Sequence, residues 1–201
     1  MKVSKIIFRS LLVFSLVAGC SAFLFGQQLE PSYNVSLNLI IGSNEAAARG
    51  ELPADLAAVS RQIKSSFSFS NYRLGSTLIG RVSNTGYYSY KSSSNIFGVE
   101  SNSVTQTFIE WSIENFKVMP TAKGQNGFQT QGMKFGARVP VLTNASGGEV
   151  GKSAPVYNYE PIGLSLVKVG LPENTPTLIG TLNLPGTSGT IFLVMTVRSA
   201  D

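Results

Sequence analysis

The chain has 201 residues, with 16 basic and 11 acidic side chains, no histidine and one cysteine. A Ser-His-Asp triad, a Cys-His pair and a histidine-ligated zinc or iron site are therefore excluded, and so is an intrachain disulfide. We expect a protein that is not an enzyme, holds no metal or cofactor, and relies on a hydrophobic core for its stability.

Residues 1–22 are typical of a bacterial export signal. Lys2, Lys5 and Arg9 form a positively charged start, and Ser10–Ala18 is a short apolar segment that small residues follow. A membrane-spanning helix needs about 20 apolar residues, more than this segment has. We therefore predict that the protein is exported, to the periplasm, the outer membrane or the extracellular medium.

Two cleavage sites are compatible with this signal, and they differ in what happens to Cys20. Val17–Cys20 resembles the bacterial lipobox, in which the peptidase cuts before a lipidated cysteine, and such a cut would anchor the protein to a membrane. A cut after Ala22 would instead discard Cys20 with the signal. The apolar Phe23–Phe25 favours the second site, because a lipoprotein usually continues into a polar tether. Membrane contact is expected only through the lipid anchor of the first alternative.

The mature part of the chain is nearly balanced in charge. Without the signal, 13 basic and 11 acidic groups remain, so the net charge falls from +5 to about +2. The charges are scattered and form no basic run, which argues against nucleic acid as a partner. We expect residues 23–32 to be a linker and residues 33–201 to form a single β-rich domain.

Two hydrophobic periodicities predict a strand and a helix early in this domain. In Tyr33–Ile41 apolar residues occupy every second position, which is typical of a β-strand. In Leu52–Phe67 they recur at steps of three and four, which predicts an amphipathic helix with one buried stripe. Pro53 suits the first turn of this helix, and Asp55 lies where the helix dipole favours an acid.

The rest of the chain shows strand and turn patterns. A strand, one helix and then many strands predict an α+β fold, mostly β, in which the helix packs on a largely antiparallel sheet or a sandwich. Ile191–Val197 is apolar at almost every position and is expected to be buried on both faces. The predicted strands are Tyr72–Val82, Gly86–Tyr90, Thr105–Val118, Phe128–Thr143 (broken at Pro140), Ile162–Val169, Thr177–Leu184 and Thr190–Val197.

Glu110 and Glu114 are candidates for carboxylate chemistry on the solvent face of one predicted strand, which buries Trp111 on its other face as a core anchor. Four residues apart on a strand, the two glutamates are roughly 13 Å from each other. Paired glycosidase carboxylates are about 5 to 9.5 Å apart. The pattern therefore favours solvated strand charges over a hydrolase site.

A second candidate is an aromatic surface made of four tyrosines that lie close in sequence. Their Asn- and Ser-rich neighbours would suit the binding of a glycan or a protein. The alternative is that the tyrosines fill the interior of a strand, and the pattern favours this alternative. The four residues are Tyr72, Tyr87, Tyr88 and Tyr90.

Gly147–Ser153 (GGEVGKS) is similar to a phosphate-binding loop but does not meet its requirements. Ser146 occupies the position of the first glycine, and Ala154–Pro155 follows where a helix would have to begin. Nucleotide binding is therefore not expected.

The closing stretch Gly163–Thr196, above all Leu171–Gly180 (LPENTPTLIG), resembles the secretin outer-membrane channels of bacterial secretion and pilus systems. In secretins a turn precedes a strand that ends in glycine, and another strand follows. The chain differs from them in having one glycine where two are frequent, and it is too short for a ring-forming channel. The whole chain also looks like the small exported envelope proteins of bacteria. Neither resemblance transfers a functional residue.

Together these features predict a non-catalytic exported envelope protein with a binding or assembly role. The expected partner is a protein or a second copy of the chain, bound through β-strand edges. The alternative is an exported enzyme or glycan-binding domain that uses the two glutamates or the tyrosine-rich strand.

Overall fold

The computed structural model describes residues 30–45, 50–96, 106–120, 126–143 and 156–200. They form one helix and eight strands, which confirms the predicted α+β fold that is mostly β. The elements are β1 (Ser32–Ser43), α1 (Ala57–Ser66), β2 (Asn71–Ser83), β3 (Tyr88–Ser94), β4 (Thr107–Pro120), β5 (Asn126–Thr143), β6 (Val156–Pro172), β7 (Thr177–Asn183) and β8 (Thr190–Ser199).

The strands form two antiparallel sheets of four. In the first sheet the order is β2-β1-β8-β7, and in the second it is β3-β4-β5-β6. The second sheet is a simple meander, in which each strand pairs with the next one in sequence. In the first sheet β1 and β8, from opposite ends of the domain, are paired in the centre.

The main core lies between the two sheets. Alternate residues of the strands point into it, as the period-two patterns predict. Leu37 and Leu39 contribute from the first sheet, and Trp111 and Phe135 from the second. Trp111 is 1% exposed, so its prediction as a core anchor is confirmed.

A second, smaller core lies between α1 and the outer face of the first sheet. Val59 and Ile63 of the helix pack with Ile40 of β1 and with Phe192 and Val194 of β8. Between them, Ile191, Leu193, Met195 and Val197 of β8 point into the main core. The prediction that β8 is buried on both faces is therefore confirmed.

The helix lies within the predicted range, and its first turn is tighter than expected. Ala54–Leu56 is a turn of 3₁₀ helix that leads into α1, with Pro53 directly before it. Asp55 lies in this turn and pairs with Arg198 of β8, with 3.6 Å between Oδ2 and Nη2. Both side chains are exposed, so this pair contributes little to stability.

Pro140 does not break β5, contrary to the prediction. The strand runs without interruption from Asn126 to Thr143, and Pro140 is opposite Tyr159 of β6. The pairing of β5 with β4 ends at Arg138. No described strand therefore lies beside Pro140 on the β4 side, where the backbone N–H that proline lacks would have been needed. The neighbouring strand β6 is also longer than predicted, because Val156 to Pro161 pair with this end of β5.

In the second sheet, side chains alternate between the core and the outer face, and this alternation shifts by one residue at the same level in β4, β5 and β6. In β4, Ile109, Trp111 and Ile113 are buried before this level, and Phe116 is buried after it. The residues at this level are Asn115 in β4, Gln131 in β5 and Lys168 in β6, and they are skipped in the strand pairing. Asn115 and Lys168 have positive φ angles of 48° and 56°.

Among the helices of the described residues, none is long and apolar enough to span a membrane. The predicted export signal, Cys20 and the Gly147–Ser153 loop lie outside the described residues. The linker prediction for residues 23–32 is covered only at its end, where β1 begins at Ser32. These predictions stay predictions.

We expect Asn115→Val to lower the free energy of unfolding by about 1–2 kcal/mol, because a left-handed backbone is costly for residues with a β-carbon and worst for branched ones. Asn115→Gly should retain most of the stability. The measurement is urea unfolding followed by tryptophan fluorescence, which reports on Trp111.

Gln131→Val is the matched control for this prediction. It removes the same hydrogen bond, which Asn115 Nδ2 donates to Gln131 Oε1 over 3.0 Å, at a residue without a positive φ angle. Equal losses in Asn115→Val and Gln131→Val would contradict the assignment of the cost to backbone strain.

Candidate functional site on the outer face of the second sheet

The outer face of the second sheet has no covering layer among the described residues, unlike that of the first sheet. Because Ile109, Trp111 and Ile113 of β4 point into the core, the residues between them point to solvent. The side chains so placed include charged, hydroxyl and glycine positions from all four strands. They are Lys91, Glu110, Ser112, Glu114, Lys134, Gly136, Gly163 and Ser165.

Each of the two candidate glutamates on this face pairs with a lysine of a neighbouring strand. Lys91 Nζ is 3.8 Å from Glu110 Oε2, and Lys134 Nζ is 3.6 Å from Glu114 Oε1. All four side chains remain in contact with water, so the pairs are worth little to stability. This geometry is typical of solvated strand charges, which the spacing of the two glutamates also favours.

Two shallow depressions on this face join into one trough. Their volumes are about 650 and 680 Å³, and both are lined by Lys91, Glu110, Gly136, Pro161 and Ile162. Glu110, Gly136 and Gly163 lie side by side in the strand register. A β-carbon at Gly136 would lie 2.9 Å from Glu110 Oε1, so glycine is what lets the glutamate lie across β5.

One end of the trough is aromatic. Phe108 of β4 and Tyr159 of β6 are 52% and 38% exposed, and their ring centroids are 5.7 Å apart. Arg138 of β5 is paired with Phe108 on one side and with Pro161 on the other in the strand register, so its Cα lies between theirs. Among the described residues, no carboxylate lies within 4 Å of the Arg138 guanidinium.

The four candidate tyrosines lie in different environments. Tyr87 is 65% exposed and lines the other end of the trough. Tyr88 and Tyr90 are partly buried and pack against the main core. Tyr72 packs against the small core beside α1, and its hydroxyl donates a hydrogen bond to the Phe67 carbonyl oxygen over 2.6 Å.

Tyr88 is held in place from two sides. Its ring meets that of Trp111 edge to face, with 5.1 Å between the centroids, and its hydroxyl donates a hydrogen bond to the Ile79 carbonyl oxygen over 3.0 Å. Burial raises the pKa of Tyr88 above the ordinary value for tyrosine, and the neighbouring Tyr90 raises it further. Tyr88 therefore ties β3 to β2 and stays protonated in mildly alkaline solution.

The free edge of β6 is a second exposed feature of this sheet. Within the described residues, no strand pairs with β6 on the side away from β5. Between Pro161 and Lys168 the edge stretch Ile162–Val167 (IGLSLV) contains neither a proline nor a charge. Val167 in this stretch is 77% exposed.

The sequence named Glu110, Glu114 and Tyr87 as candidates that lie at the trough, but it gave no indication of Phe108, Arg138 and Tyr159 on the same face. These three residues belong to different strands and meet only through the strand register. The apolar Phe108 at an outward position of an otherwise alternating strand was the available signal. In the described part of the chain, no three Asp, Glu, Cys or His residues lie close enough together to hold a metal ion.

No protein-family model matches the chain, and no curated protein matches it either. Solved structures to which it is similar include secretin domains, the family that the closing stretch resembles. The secretin InvG of the Salmonella SPI-1 type III secretion injectisome is 10% identical, with 98% of this chain and 70% of that chain covered and a TM-score of 0.35.

A second similar structure is the Klebsiella pneumoniae type II secretion system outer membrane complex of PulD, PulS and the PulC HR domain. It is 11% identical, with 86% of this chain and 39% of that chain covered and a TM-score of 0.31. The secretin GspD of the E. coli type II secretion system is 13% identical, with 85% and 48% covered and a TM-score of 0.25. At these TM-scores, the proposals below rest on the residues of the chain itself.

We expect the free energy of unfolding to fall less steeply at high pH in Tyr88→Phe than in the unmodified protein. Because the pKa of Tyr88 is raised in the folded state, the protonated hydroxyl contributes to the free energy of unfolding. This contribution is fully present below about pH 10 and is lost as the pH rises through the folded-state pKa. Tyr88→Phe removes this component and also loses the hydrogen bond to Ile79, at about 1 kcal/mol near pH 7. Urea unfolding at pH 7 and at several values above pH 10 measures both effects.

Tyr87→Phe is the matched control, since the Tyr87 ring is exposed and lies one residue away. If the free energy of unfolding of Tyr88→Phe fell as steeply above pH 10 as that of the unmodified protein, Tyr88 would not be the group responsible.

Proposed function

We propose that the protein is a non-catalytic, exported envelope protein with an assembly role, and that it joins another protein molecule through the free edge of β6. The observation that carries this proposal is the stretch Ile162–Val167, an extended edge without proline or charge. In the simplest case the other molecule is a second copy of the chain.

The other three sheet edges each carry a feature that discourages further pairing. β3 is seven residues long and contains four serines and a lysine. β2 carries a bulge at Gly75 and two arginines, and β7 carries a bulge between Leu178 and Gly180. Short strands, charges and bulges are the usual means by which proteins protect an edge. β6 has seventeen residues, and its protection is limited to its two prolines, Glu160 and the strained Lys168, all outside Ile162–Val167.

The chemistry of the chain supports a role without catalysis. Histidine is absent from the sequence, and both candidate glutamates are held by lysines in contact with water. An added strand would gain main-chain hydrogen bonds along β6, and Val167 beside the edge offers an apolar contact. Binding of this kind needs an extended partner and no reactive group.

We expect the purified protein to self-associate, and Val167→Lys to weaken this association at least tenfold. A lysine beside the edge would have to lose water when a strand docks there. Multi-angle light scattering over a range of protein concentrations measures the association. Ile79→Lys is the matched control, because Ile79 is 68% exposed and lies on β2 of the first sheet.

Two results would count against assembly through β6. One is a protein that is monomeric at all concentrations and captures no envelope protein after cross-linking in cells. The other is equal weakening by Val167→Lys and Ile79→Lys, which would assign the effect to general surface charge.

For export, we expect the mature protein from native cells to lack residues 1–19 or 1–22. Mass spectrometry of the intact N-terminus distinguishes the two cleavage sites, since only the first leaves an acylated Cys20 at the start. An unmodified N-terminus at Phe23 would remove the lipid anchor, and an unprocessed chain would overturn export through this signal.

A further inference from the structure

The trough on the outer face of the second sheet is not used by the proposed assembly through the β6 edge. It extends along the strands from Tyr87 to Phe108 and Tyr159. Glu114 at the Tyr87 end lies six positions after Phe108 in β4, which corresponds to roughly 20 Å. The trough is therefore long enough for an extended chain molecule.

Both ends of the trough present exposed aromatic rings. Tyr87 lies at one end, and the contacting pair of Phe108 and Tyr159 lies at the other. Exposed aromatic rings cost hydration free energy unless something packs on them. Their faces carry partial negative charge and suit the C–H face of a sugar ring, whose hydroxyl groups remain free at its rim.

The middle of the trough is lined by groups that exchange hydrogen bonds with hydroxyls. The carboxylates of Glu110 and Glu114 are acceptors, the ammonium groups of Lys91 and Lys134 are donors, and Ser165 is both. Because the two glutamates and two lysines neutralise one another, this part adds no net charge to the trough. Hydroxyl-rich ligands can bridge such groups without a buried charge.

Arg138 adds a positive charge that the described residues leave without a carboxylate partner. The described residues that line the trough therefore carry three cations, Lys91, Lys134 and Arg138, against two anions. A guanidinium binds a carboxylate through two parallel hydrogen bonds and is the preferred side chain for this purpose. Arg138 is paired with Phe108 in the strand register, so the two side chains start from neighbouring positions on this face.

We propose that the trough binds a linear glycan that carries carboxylate groups, with Arg138 on a carboxylate and Phe108, Tyr159 and Tyr87 against the sugar rings. The aromatic rings at the ends and the hydrogen-bonding groups in the middle suit a sugar chain. The Arg138 guanidinium favours a chain that carries carboxylates. Binding uses the face of the sheet, so it does not require the edge of β6 to be free or occupied.

Isothermal titration with protein expressed from the whole chain tests this proposal. The probes are an oligogalacturonate, which carries one carboxylate on each ring, and a neutral cello-oligosaccharide of the same length. We expect the acidic oligosaccharide to bind more tightly than the neutral one. Arg138→Gln should lower the affinity for the acidic probe about tenfold and remove its advantage over the neutral one.

Two control variants on β4 separate the trough from general surface effects. Lys117→Gln removes an exposed positive charge outside the trough and should leave binding unchanged. Phe108→Ala should weaken the binding of both oligosaccharides. Met119→Ala should weaken the binding of neither, and it is a fair comparison because Met119 is 46% exposed and Phe108 52%.

Four outcomes would overturn the proposal. Binding of neither oligosaccharide would remove the glycan, and equal binding of both would remove the role of Arg138. Equal binding of polyglutamate, or an equal loss in Lys117→Gln, would show attraction between opposite charges without recognition of a sugar. The titration is carried out at concentrations at which light scattering shows a monomer, so failure of the β6 assembly would not be mistaken for failure of glycan binding.

Discussion

The burial of β8 on both faces is the constraint on which the rest of the structure depends. Ile191, Leu193 and Met195 fill the space between the sheets, while Phe192 and Val194 need a cover on the other side. Phe192 alone would expose an aromatic ring to water at a cost of roughly 2–3 kcal/mol. The cover comes from α1 and from a cluster of aromatic rings, among which Phe67 has its centroid 4.9 Å from that of Phe192. Gly42 leaves room for this cluster, since a β-carbon there would lie 2.9 Å from the Phe192 ring.

The helix covers the outer face of the first sheet, whereas no element within the described ranges covers that of the second. Its strands alternate so that the apolar residues enter the core and the charged and hydroxyl residues line the trough. The alternation reverses at Asn115, Gln131 and Lys168, which keeps Phe116 and Phe128 in the core. The reversal ends the regular part of the β6 edge at Val167. The same irregularity therefore limits the length of any strand that could add to this sheet.

The edge of β6 and the trough are independent of each other in chemistry. The edge offers backbone groups and one exposed valine, which suits another extended strand. The trough offers aromatic rings, neutralised ion pairs and the Arg138 guanidinium, which has no carboxylate partner among the described residues; this set suits a hydroxyl-rich chain with carboxylates. A protein that uses both would assemble through its strand edges while it holds a glycan on the face of its second sheet.

The amino-acid sequence by itself determined the fold class, the position of α1 and the burial of Trp111 and of both faces of β8. These follow from hydrophobic periodicity within one segment, which a single chain displays directly. Only the tertiary structure decided which strands are neighbours, that Pro140 lies inside β5, and that Phe108, Arg138 and Tyr159 share one surface. Strand order and register depend on contacts between residues distant in sequence, and a local pattern does not record them. The four candidate tyrosines show the same division, since all four lie close together in the sequence and the register brings Tyr87, but not the other three, to the trough.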